Sequence, residues 1–291
     1  MIPATLGAAV ERALGRRISG GARLTGGDIG EAYRIDMRGT SPIFVKRYPG
    51  SDSEMVCAEA DGLRWLAEPG CIRIPEVLYV SEPQADVSFI ALEFLSTGPR
   101  QIDYDESFGR ALAELHRAGA TEFGFASHGY IGRLLQSNSP RDTWAEFYRR
   151  ERLFPLLRSA CDSQSIGTST RQKVEEIMTR LGELVGAPEP PARLHGDLWA
   201  GNQHVGPHGE PCLIDPAAYG GHREIDLSMM RLFGGYSERV FAAYNEAFPL
   251  SNGHAGRVPL YQLYPLLAHV NLFGSSYARA VEDAAIRALS A

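Results

Sequence analysis

The sequence has only four cysteines among its 291 residues, no excess of basic residues and no long apolar run. The cysteines lie far apart, at positions 57, 71, 161 and 212, and form no C-x-x-C pair, which argues against a disulfide framework. No apolar stretch approaches the ~20 residues that span a bilayer. The formal net charge of −6 argues against nucleic acid as the main partner. We therefore expect a cytoplasmic globular protein with no membrane partner.

The first third of the chain is typical of a β-sheet. Residues 23–37 and 42–48 contain short apolar or alternating runs separated by turn signals, which predicts three strands. Residues 51–70 change to helical spacing, and residues 75–80 and 87–95 return to strand patterns. After a Gly/Pro break at 96–100 the pattern becomes mostly helical, most strongly over 168–186.

These patterns predict an α+β fold with two lobes. The small lobe, residues 1–95, would be an antiparallel sheet with one main helix, and the larger lobe, residues 96–291, would be mostly helical. The connector lies near residues 93–100. Within the large lobe, the apolar runs "ARLH" and "CLID" flank a predicted hairpin tip, "GPHGEP". Ligands favour clefts between such lobes.

The stretch "RLHGDLWAGN" (residues 193–202) carries the strongest chemical signal. Asp197 is followed by Asn202 at the spacing at which a phosphotransferase places a base and a metal ligand, and Asp215 ends a nearby apolar run. A hairpin over 203–214 would bring Asn202 and Asp215 together. Two alternatives are a polar turn and a zinc site, built from His195, His204, His208 and Cys212.

The small lobe offers residues suited to binding phosphate. Gly26, Gly27 and Gly30 lie between two predicted strands, where backbone N–H groups could approach a phosphate closely. Lys46 ends a strand and Glu59 lies on the following helix, which is how a kinase pairs these residue types. Glu54 is the alternative partner of Lys46, but it lies in the first turn of the helix, where a capping role is enough to explain it.

With these pieces placed, the sequence resembles the fructosamine (ketosamine) kinase family, a branch of the aminoglycoside- and choline-phosphotransferase group with a protein-kinase-like fold. The resemblance covers nearly the whole chain. It rests on "GGDIGEAYRI", "FVK", "AEADGLRWL", "LHGDLWAGN", "LIDPAAYGGHREIDLSMMRLFGG" and "YPLLAHVNLFG".

The resemblance implies a role for each matching residue, with ATP and Mg²⁺ as cofactors. Asp197 would be the catalytic base, Asn202 and Asp215 the Mg²⁺ ligands, and Lys46 and Glu59 the phosphate-binding pair. In a two-lobed kinase the connector binds the adenine edge through its backbone, which by position points to Glu93, Phe94 and Leu95. Trp199 would lie beside the sugar, and His269 would contact substrate or be a core histidine. Asp226 would brace the catalytic loop or cap the helix that follows.

The expected reaction is transfer of the ATP γ-phosphoryl group to a hydroxyl, by resemblance the C3 hydroxyl, of a ketosamine such as a ribulosamine or fructosamine. The acceptor would be a small molecule or a protein-bound ketosamine, the enzyme a monomer, and the outcome deglycation. One alternative is a small-molecule kinase of the aminoglycoside or choline type. Another is a catalytically silent nucleotide-binding module, against which the joint presence of Lys46, Glu59, Asp197, Asn202 and Asp215 argues.

Overall fold

The main sheet is antiparallel and has five strands in the order β1-β2-β3-β5-β4. The computed structural model describes residues 1–25, 30–48 and 53–291. The elements up to the end of this sheet are α1 (Ala4–Leu14), β1 (Ile18–Arg23), β2 (Glu31–Met37), β3 (Ile43–Tyr48), α2 (Ser53–Ala67), β4 (Val77–Val80) and β5 (Ser88–Glu93).

The two-residue period of the strands gives the sheet two apolar faces. On β3, Ile43 and Val45 pack in a cluster with α1, whereas Phe44 and Tyr48 pack in a second cluster that includes α2. Lys46 lies between Phe44 and Tyr48 at the two-residue period of the strand. Its side chain is therefore on the same face of the sheet as theirs, the face that packs against α2. The alternation along one strand thus directs the lysine towards the helix that carries Glu59.

The rest of the described chain is mostly helical. Its helices are α3 (Tyr104–Ala118), α4 (Trp144–Phe147), α5 (Phe154–Asp162), α6 (Thr168–Leu184), α7 (Glu224–Leu232), α8 (Glu238–Ala247), α9 (His254–Phe273) and α10 (Ala278–Ser290), with a π-helical segment at Tyr148–Leu153. Three strand pairs are inserted: β6 (Gly129–Ile131) with β7 (Leu134–Gln136), β8 (Ala192–Leu194) with β11 (Tyr219–Gly221), and β9 (Gln203–Val205) with β10 (Pro211–Leu213). The predicted α+β class, a small antiparallel sheet beside a larger helical part, is confirmed.

Two strand predictions differ from the structure. The first strand begins at Ile18, before the run over residues 23–37 that was expected to supply it. The predicted hairpin over 203–214 is confirmed as β9 and β10, but the apolar run "ARLH" lies outside it, because β8 pairs with β11. Three-residue apolar runs do not specify a partner strand, since several such runs lie within reach along the chain.

The segment after the sheet is fastened to the tip of the β9–β10 hairpin. Gly98 donates its N–H to the Gly206 carbonyl at 3.1 Å, and Gln101 donates its N–H to the Gly209 carbonyl at 3.3 Å. The hairpin therefore contacts the connector at its tip and, at its base, ends in Asn202 and Asp215. In the described part of the chain, no helix is both long and apolar enough to cross a membrane.

Buried His222 predicts stability that is sensitive to acid. Its ring stacks on Tyr261 with centroids 5.2 Å apart, and burial lowers the pKa of the histidine to about 4. An unfolded chain takes up this proton near pH 6.5, so the stabilisation is present above that pH and is lost as the pH falls towards 4. Between pH 7.5 and pH 5, wild type should lose about 2 kcal/mol more free energy of unfolding than His222→Gln.

Urea unfolding at the two pH values measures this difference. His208→Gln is the control, because His208 is exposed at the hairpin tip. Equal losses in wild type and His222→Gln would show that His222 does not cause the acid sensitivity.

Candidate active site

The β9–β10 hairpin brings Asn202 and Asp215 together at its base. The Asn202 side-chain amide donates to the Asp215 carbonyl at 3.3 Å, and Ile214 donates its N–H to the Asn202 carbonyl at 3.0 Å. The same amide donates to the Asp197 carbonyl at 2.8 Å and to Asp197 Oδ2 at 3.1 Å. The Asn202 side chain therefore links Asp197 and Asp215, and the three residues predicted from sequence form one cluster.

The loop that carries Asp197 is held from below by Asp226 on α7. The fully buried Asp226 carboxylate accepts the N–H groups of His195 at 2.7 Å and of Gly196 at 2.9 Å. Gly196 has φ +83°, and a β carbon there would lie 2.0 Å from the Ala217 carbonyl oxygen, so only glycine fits this turn. Asp226 thus braces the loop, one of the two roles expected for it.

His116 of α3 is a further part of this brace, and the sequence analysis missed it. Its Nε2 lies 3.2 Å from Asp226 Oδ2 and its Nδ1 lies 2.8 Å from the Tyr244 hydroxyl. The geometry fits Nε2–H as donor to the carboxylate and Tyr244 as donor to Nδ1. No local pattern relates His116 to Asp226, since the two residues are 110 positions apart.

Lys46 lies between two carboxylates that come from different parts of the chain. Its Nζ is 3.1 Å from Glu59 Oε2 and 2.8 Å from Asp215 Oδ1. Tyr48, two residues along β3, donates its hydroxyl to Glu59. The strand period could have predicted this contact, because Tyr48 and Lys46 lie on the same face of the sheet. Glu54, the alternative partner, instead accepts from Tyr130 at 3.1 Å.

Burial and charge act in opposite directions on this cluster. Burial alone would lower the pKa of Lys46, but the charges of Asp215 and Glu59 outweigh it and raise that pKa well above its usual value. Burial works to raise the pKa of Asp215, yet neighbouring Lys46 holds it below the ordinary range. Lys46 is therefore a charged ammonium group, and Asp215 an ionised carboxylate.

Asp197 has a different environment from Asp215. In the described residues no Lys, Arg or His lies within 4.0 Å of its carboxylate. Burial raises its pKa to about 7, although the hydrogen bond from Asn202 opposes the shift. A carboxylate with a pKa near neutrality is suited to receive a proton from a hydroxyl group.

The other predicted nucleotide residues are only partly described. Gly30 precedes β2, and a β carbon there would lie 3.0 Å from Lys46 Cγ, whereas Gly26 and Gly27 lie outside the described residues. At the connector, the Glu93 carboxylate pairs with Arg73. Within the described chain, the backbone N–H and carbonyl groups of Leu95 form no hydrogen bond, so both are free for a ligand.

The two predicted substrate residues, Trp199 and His269, have different surroundings. Trp199 is 42% exposed, and its indole ring lies against Gly201. His269 is half-buried on α9 among the rings of Phe233, Tyr277 and Phe273, with centroids at 4.8, 5.0 and 5.4 Å. The segment that follows Phe233 reaches the loop after Trp199, since a β carbon on Gly235 would lie 2.5 Å from Ala200 Cβ.

The histidines do not assemble a zinc site in the described residues, where no group of three or more His, Cys, Asp and Glu could hold a metal ion. His195 is fully buried and its Nε2 lies 2.9 Å from the Ile214 carbonyl, whereas His208 is exposed at the hairpin tip. The remaining candidate donors, Asn202 and Asp215, carry oxygen atoms, which suit Mg²⁺ better than zinc.

Comparison with known families gives one match over almost the whole chain. Residues 4–291 match the family model described as fructosamine kinase. Among named proteins, a probable ketoamine kinase of Enterococcus faecium is 34% identical over 261 residues, which cover 89% of this chain and 92% of that protein.

Solved structures give a consistent result for the fold. A protein from Thermobifida fusca, assigned as a fructosamine-3-kinase, is similar with a TM-score of 0.90 and 41% identity, covering 98% of this chain and 99% of that one. The aminoglycoside phosphotransferase APH(4)-Ia has a TM-score of 0.64 at 16% identity, covering 98% of each chain, and this likeness concerns the fold alone. The predicted two-lobed kinase-like architecture is confirmed.

Asp197 in the loop and Asp226 on α7 should change the free energy of unfolding in opposite directions when each is neutralised. Asp226→Asn should lower the free energy of unfolding by about 2–4 kcal/mol, because a buried carboxylate that accepts from two backbone N–H groups and His116 is lost. Asp197→Asn should raise it by about 1 kcal/mol, because it removes a half-buried carboxylate that has a raised pKa and no cationic partner in the described chain. Urea unfolding at pH 8 measures both, and changes of the same sign would contradict the assignment.

Proposed function

Since the chain belongs to the fructosamine kinase family, we propose that it transfers the γ-phosphoryl group of ATP to the C3 hydroxyl of a ketosamine. The observation that carries the proposal is the cluster of Lys46, Glu59, Asp197, Asn202 and Asp215. It combines a paired lysine suited to phosphate with a carboxylate suited to a hydroxyl group. The resemblance to this family, inferred from the sequence motifs, is confirmed by the match over residues 4–291.

Asn202 and Asp215 would hold Mg²⁺. The Asn202 side-chain nitrogen already donates to three oxygen atoms, so its Oδ1 is the atom available to a cation. Asp215 offers a carboxylate held ionised by Lys46. Two protein oxygens suit a metal that takes its other ligands from phosphates and water. When bound, Mg²⁺ supplies charge neutralisation at the β- and γ-phosphates.

Lys46 would bind the phosphates of ATP, with Glu59 fixing the direction of its ammonium group. Asp197 would orient the acceptor hydroxyl and take its proton as the acceptor oxygen bonds to the γ-phosphorus. The bond from that phosphorus to the bridging oxygen breaks, and ADP leaves. Asp226 contributes by holding the loop in place, so that most of the catalysis is positioning.

Phosphorylation at C3 has a chemical consequence for the ketosamine. The phosphate is bonded to C3, next to the C2 carbonyl, and is a good leaving group. Once loss of a C1 proton forms the C1–C2 enol, the C3–O bond breaks and phosphate leaves. Water then hydrolyses the imine that remains, which releases the amine. We therefore propose deglycation of small amines or of proteins as the purpose of the reaction.

The sugar-derived acceptor would bind beside Trp199 and His269. Burial lowers the pKa of His269, so its ring is neutral near pH 7 and does not repel the secondary ammonium of a ketosamine. Aromatic faces attract such cations, and His269 lies among three rings. His269 Nδ1 lies 2.7 Å from the Pro265 carbonyl, which fixes the ring orientation.

We place the nucleotide-binding lobe at residues 1–95 and the catalytic and substrate lobe at residues 96–291. Adenine would bind the free backbone groups of Leu95, next to Glu93 and Phe94. Gly26, Gly27 and Gly30 would cover the phosphates. The cytoplasmic location and the monomeric state stay predictions.

A panel of acceptors tests the proposed reaction. ATP consumption with ribulose-, erythrulose- and fructose-amines should exceed that with an aminoglycoside, and phosphorus NMR of the product should place the phosphate on C3. Asp197→Asn should lower kcat by about 10³-fold because the base is lost, while Asp61→Asn, an exposed acid on α2, should not. Activity confined to the aminoglycoside would contradict ketosamine phosphorylation, and full activity in Asp197→Asn would contradict the role of Asp197.

Separate variants test the acceptor site. Trp199→Ala and His269→Ala should each raise KM for the ketosamine about tenfold, because each removes an aromatic contact with the acceptor, and should leave KM for ATP nearly unchanged. Ile286→Ala, at an exposed apolar residue of α10, is the matched control. A rise in KM for ATP of the same size would place these residues outside the acceptor site.

A further inference from the structure

Helix α2 is packed against the catalytic segment as well as against the sheet. Its Gly62 lies over the residues that follow Asp215, where a β carbon would be 3.3 Å from Ala218 Cβ and 3.5 Å from Pro216 Cγ. At the start of the helix, Glu54 accepts a hydrogen bond from Tyr130 at 3.1 Å. The position of α2, and hence of Glu59, therefore depends on elements outside the small sheet.

Arg193 contacts the C-terminal end of this helix. Its guanidinium donates to the carbonyl of Trp65, lies 4.4 Å from the centroid of the Trp65 ring, and pairs with Glu68 at 2.8 Å. It also donates to the carbonyl of Gly119, at the end of α3, at 3.3 Å. A cation at two helix C-termini adds a donor to carbonyl groups there, of which that of Trp65 also accepts the Glu68 N–H at 3.3 Å, and it opposes the negative ends of both helices.

Arg193 lies on β8, and the chain continues from β8 through His195 and Gly196 to Asp197. One strand therefore delivers the catalytic loop and holds the helix that carries Glu59. Glu59 and Trp65 are six residues apart, about 9 Å along a helix, so a shift at the Arg193 end moves the whole of α2. Glu59 is in turn paired with Lys46 at 3.1 Å.

We propose that Arg193 is a positioning residue that sets Glu59, and through it Lys46, relative to the catalytic loop. The proposal rests on the proposed function in taking Lys46 and Glu59 as the phosphate site. Arg193 needs no contact with substrate or nucleotide for this role. It makes α2 part of the same rigid unit as the strand before Asp197, so that the phosphate site is assembled before ATP binds.

The residue type matters because the Arg193 guanidinium makes four contacts at once, with the Trp65 carbonyl, the Trp65 ring, Glu68 and the Gly119 carbonyl. A guanidinium is planar, carries five N–H donors and stacks on an aromatic face, whereas a lysine ammonium is a single point charge. Arg193→Lys should keep the charge near the helix end and lose the stacking on Trp65. We expect it to recover only part of what Arg193→Ala loses.

A double-mutant cycle on nucleotide affinity tests the proposal. With a non-hydrolysable ATP analogue and Mg²⁺, and with no acceptor present, Arg193→Ala should weaken binding about tenfold. In a Glu59→Gln background the same change should weaken binding less than about twofold, because the group that Arg193 positions has already lost its charge. Arg193→Lys should lie between wild type and Arg193→Ala.

Arg117→Ala is the matched control. Arg117 also donates to a carbonyl near a helix end, that of Ala247, and lies 4.8 Å from the centroid of the Phe248 ring, but among the described residues none of its hydrogen bonds or ring contacts involves α2. It should leave nucleotide affinity nearly unchanged. Equal losses for Arg193→Ala in the wild-type and Glu59→Gln backgrounds, or an equal loss in Arg117→Ala, would overturn the positioning role.

Hydrogen exchange gives a readout that needs no nucleotide. Amide exchange over residues 53–67 should be faster in Arg193→Ala than in wild type and unchanged in Arg117→Ala. A wild-type chain that binds no nucleotide would overturn the proposed function, and the exchange rates alone would then decide the role of Arg193. Unchanged amide exchange over residues 53–67 in Arg193→Ala would overturn the positioning role of Arg193.

Discussion

The site depends on one ammonium group shared by two carboxylates from distant parts of the chain. Lys46 comes from a central strand of the sheet, Glu59 from the helix beside it, and Asp215 from the base of a hairpin 169 residues further along. Glu59 is buried and the Lys46 side chain is only 14% exposed, so these two charges must stay paired, since one unpaired buried charge costs several kcal/mol. The packing of α2, the pairing of β9 with β10, and the contact between the connector and the hairpin tip all serve this requirement.

The carboxylates of Asp197 and Asp226, which both lie at the loop around Asp197, have different electrostatic surroundings. Asp226 is surrounded by donors, whereas Asp197 has one amide donor and no cation within 4.0 Å in the described residues. The same residue type can therefore serve as a structural acceptor in one place and as a proton acceptor in another. Burial raises the pKa of Asp197 to about 7, where it can exchange a proton near neutral pH. The brace below the loop keeps that carboxylate in position.

Much of this arrangement could be predicted from sequence because local rules decide it. A hairpin brings its two ends together, so Asn202 and Asp215 had to meet, and the strand period directs Lys46 towards α2. The pairing of β8 with β11 could not be predicted, since a three-residue apolar run carries no information about its partner. The contacts of His116 with Asp226 and of Arg193 with Trp65 were also out of reach, because they join residues more than 100 positions apart. The role of Gly26 and Gly27 in binding phosphate stays a prediction.

The proposed function requires that Lys46 and Asp215 together form a site for the phosphates of Mg²⁺-bound ATP. Calorimetric titration of wild type and Lys46→Met with a non-hydrolysable ATP analogue, with Mg²⁺ or with EDTA, measures this most directly. Binding should weaken at least about tenfold when either Mg²⁺ or the lysine is removed. Affinity that is the same in all four titrations would contradict it.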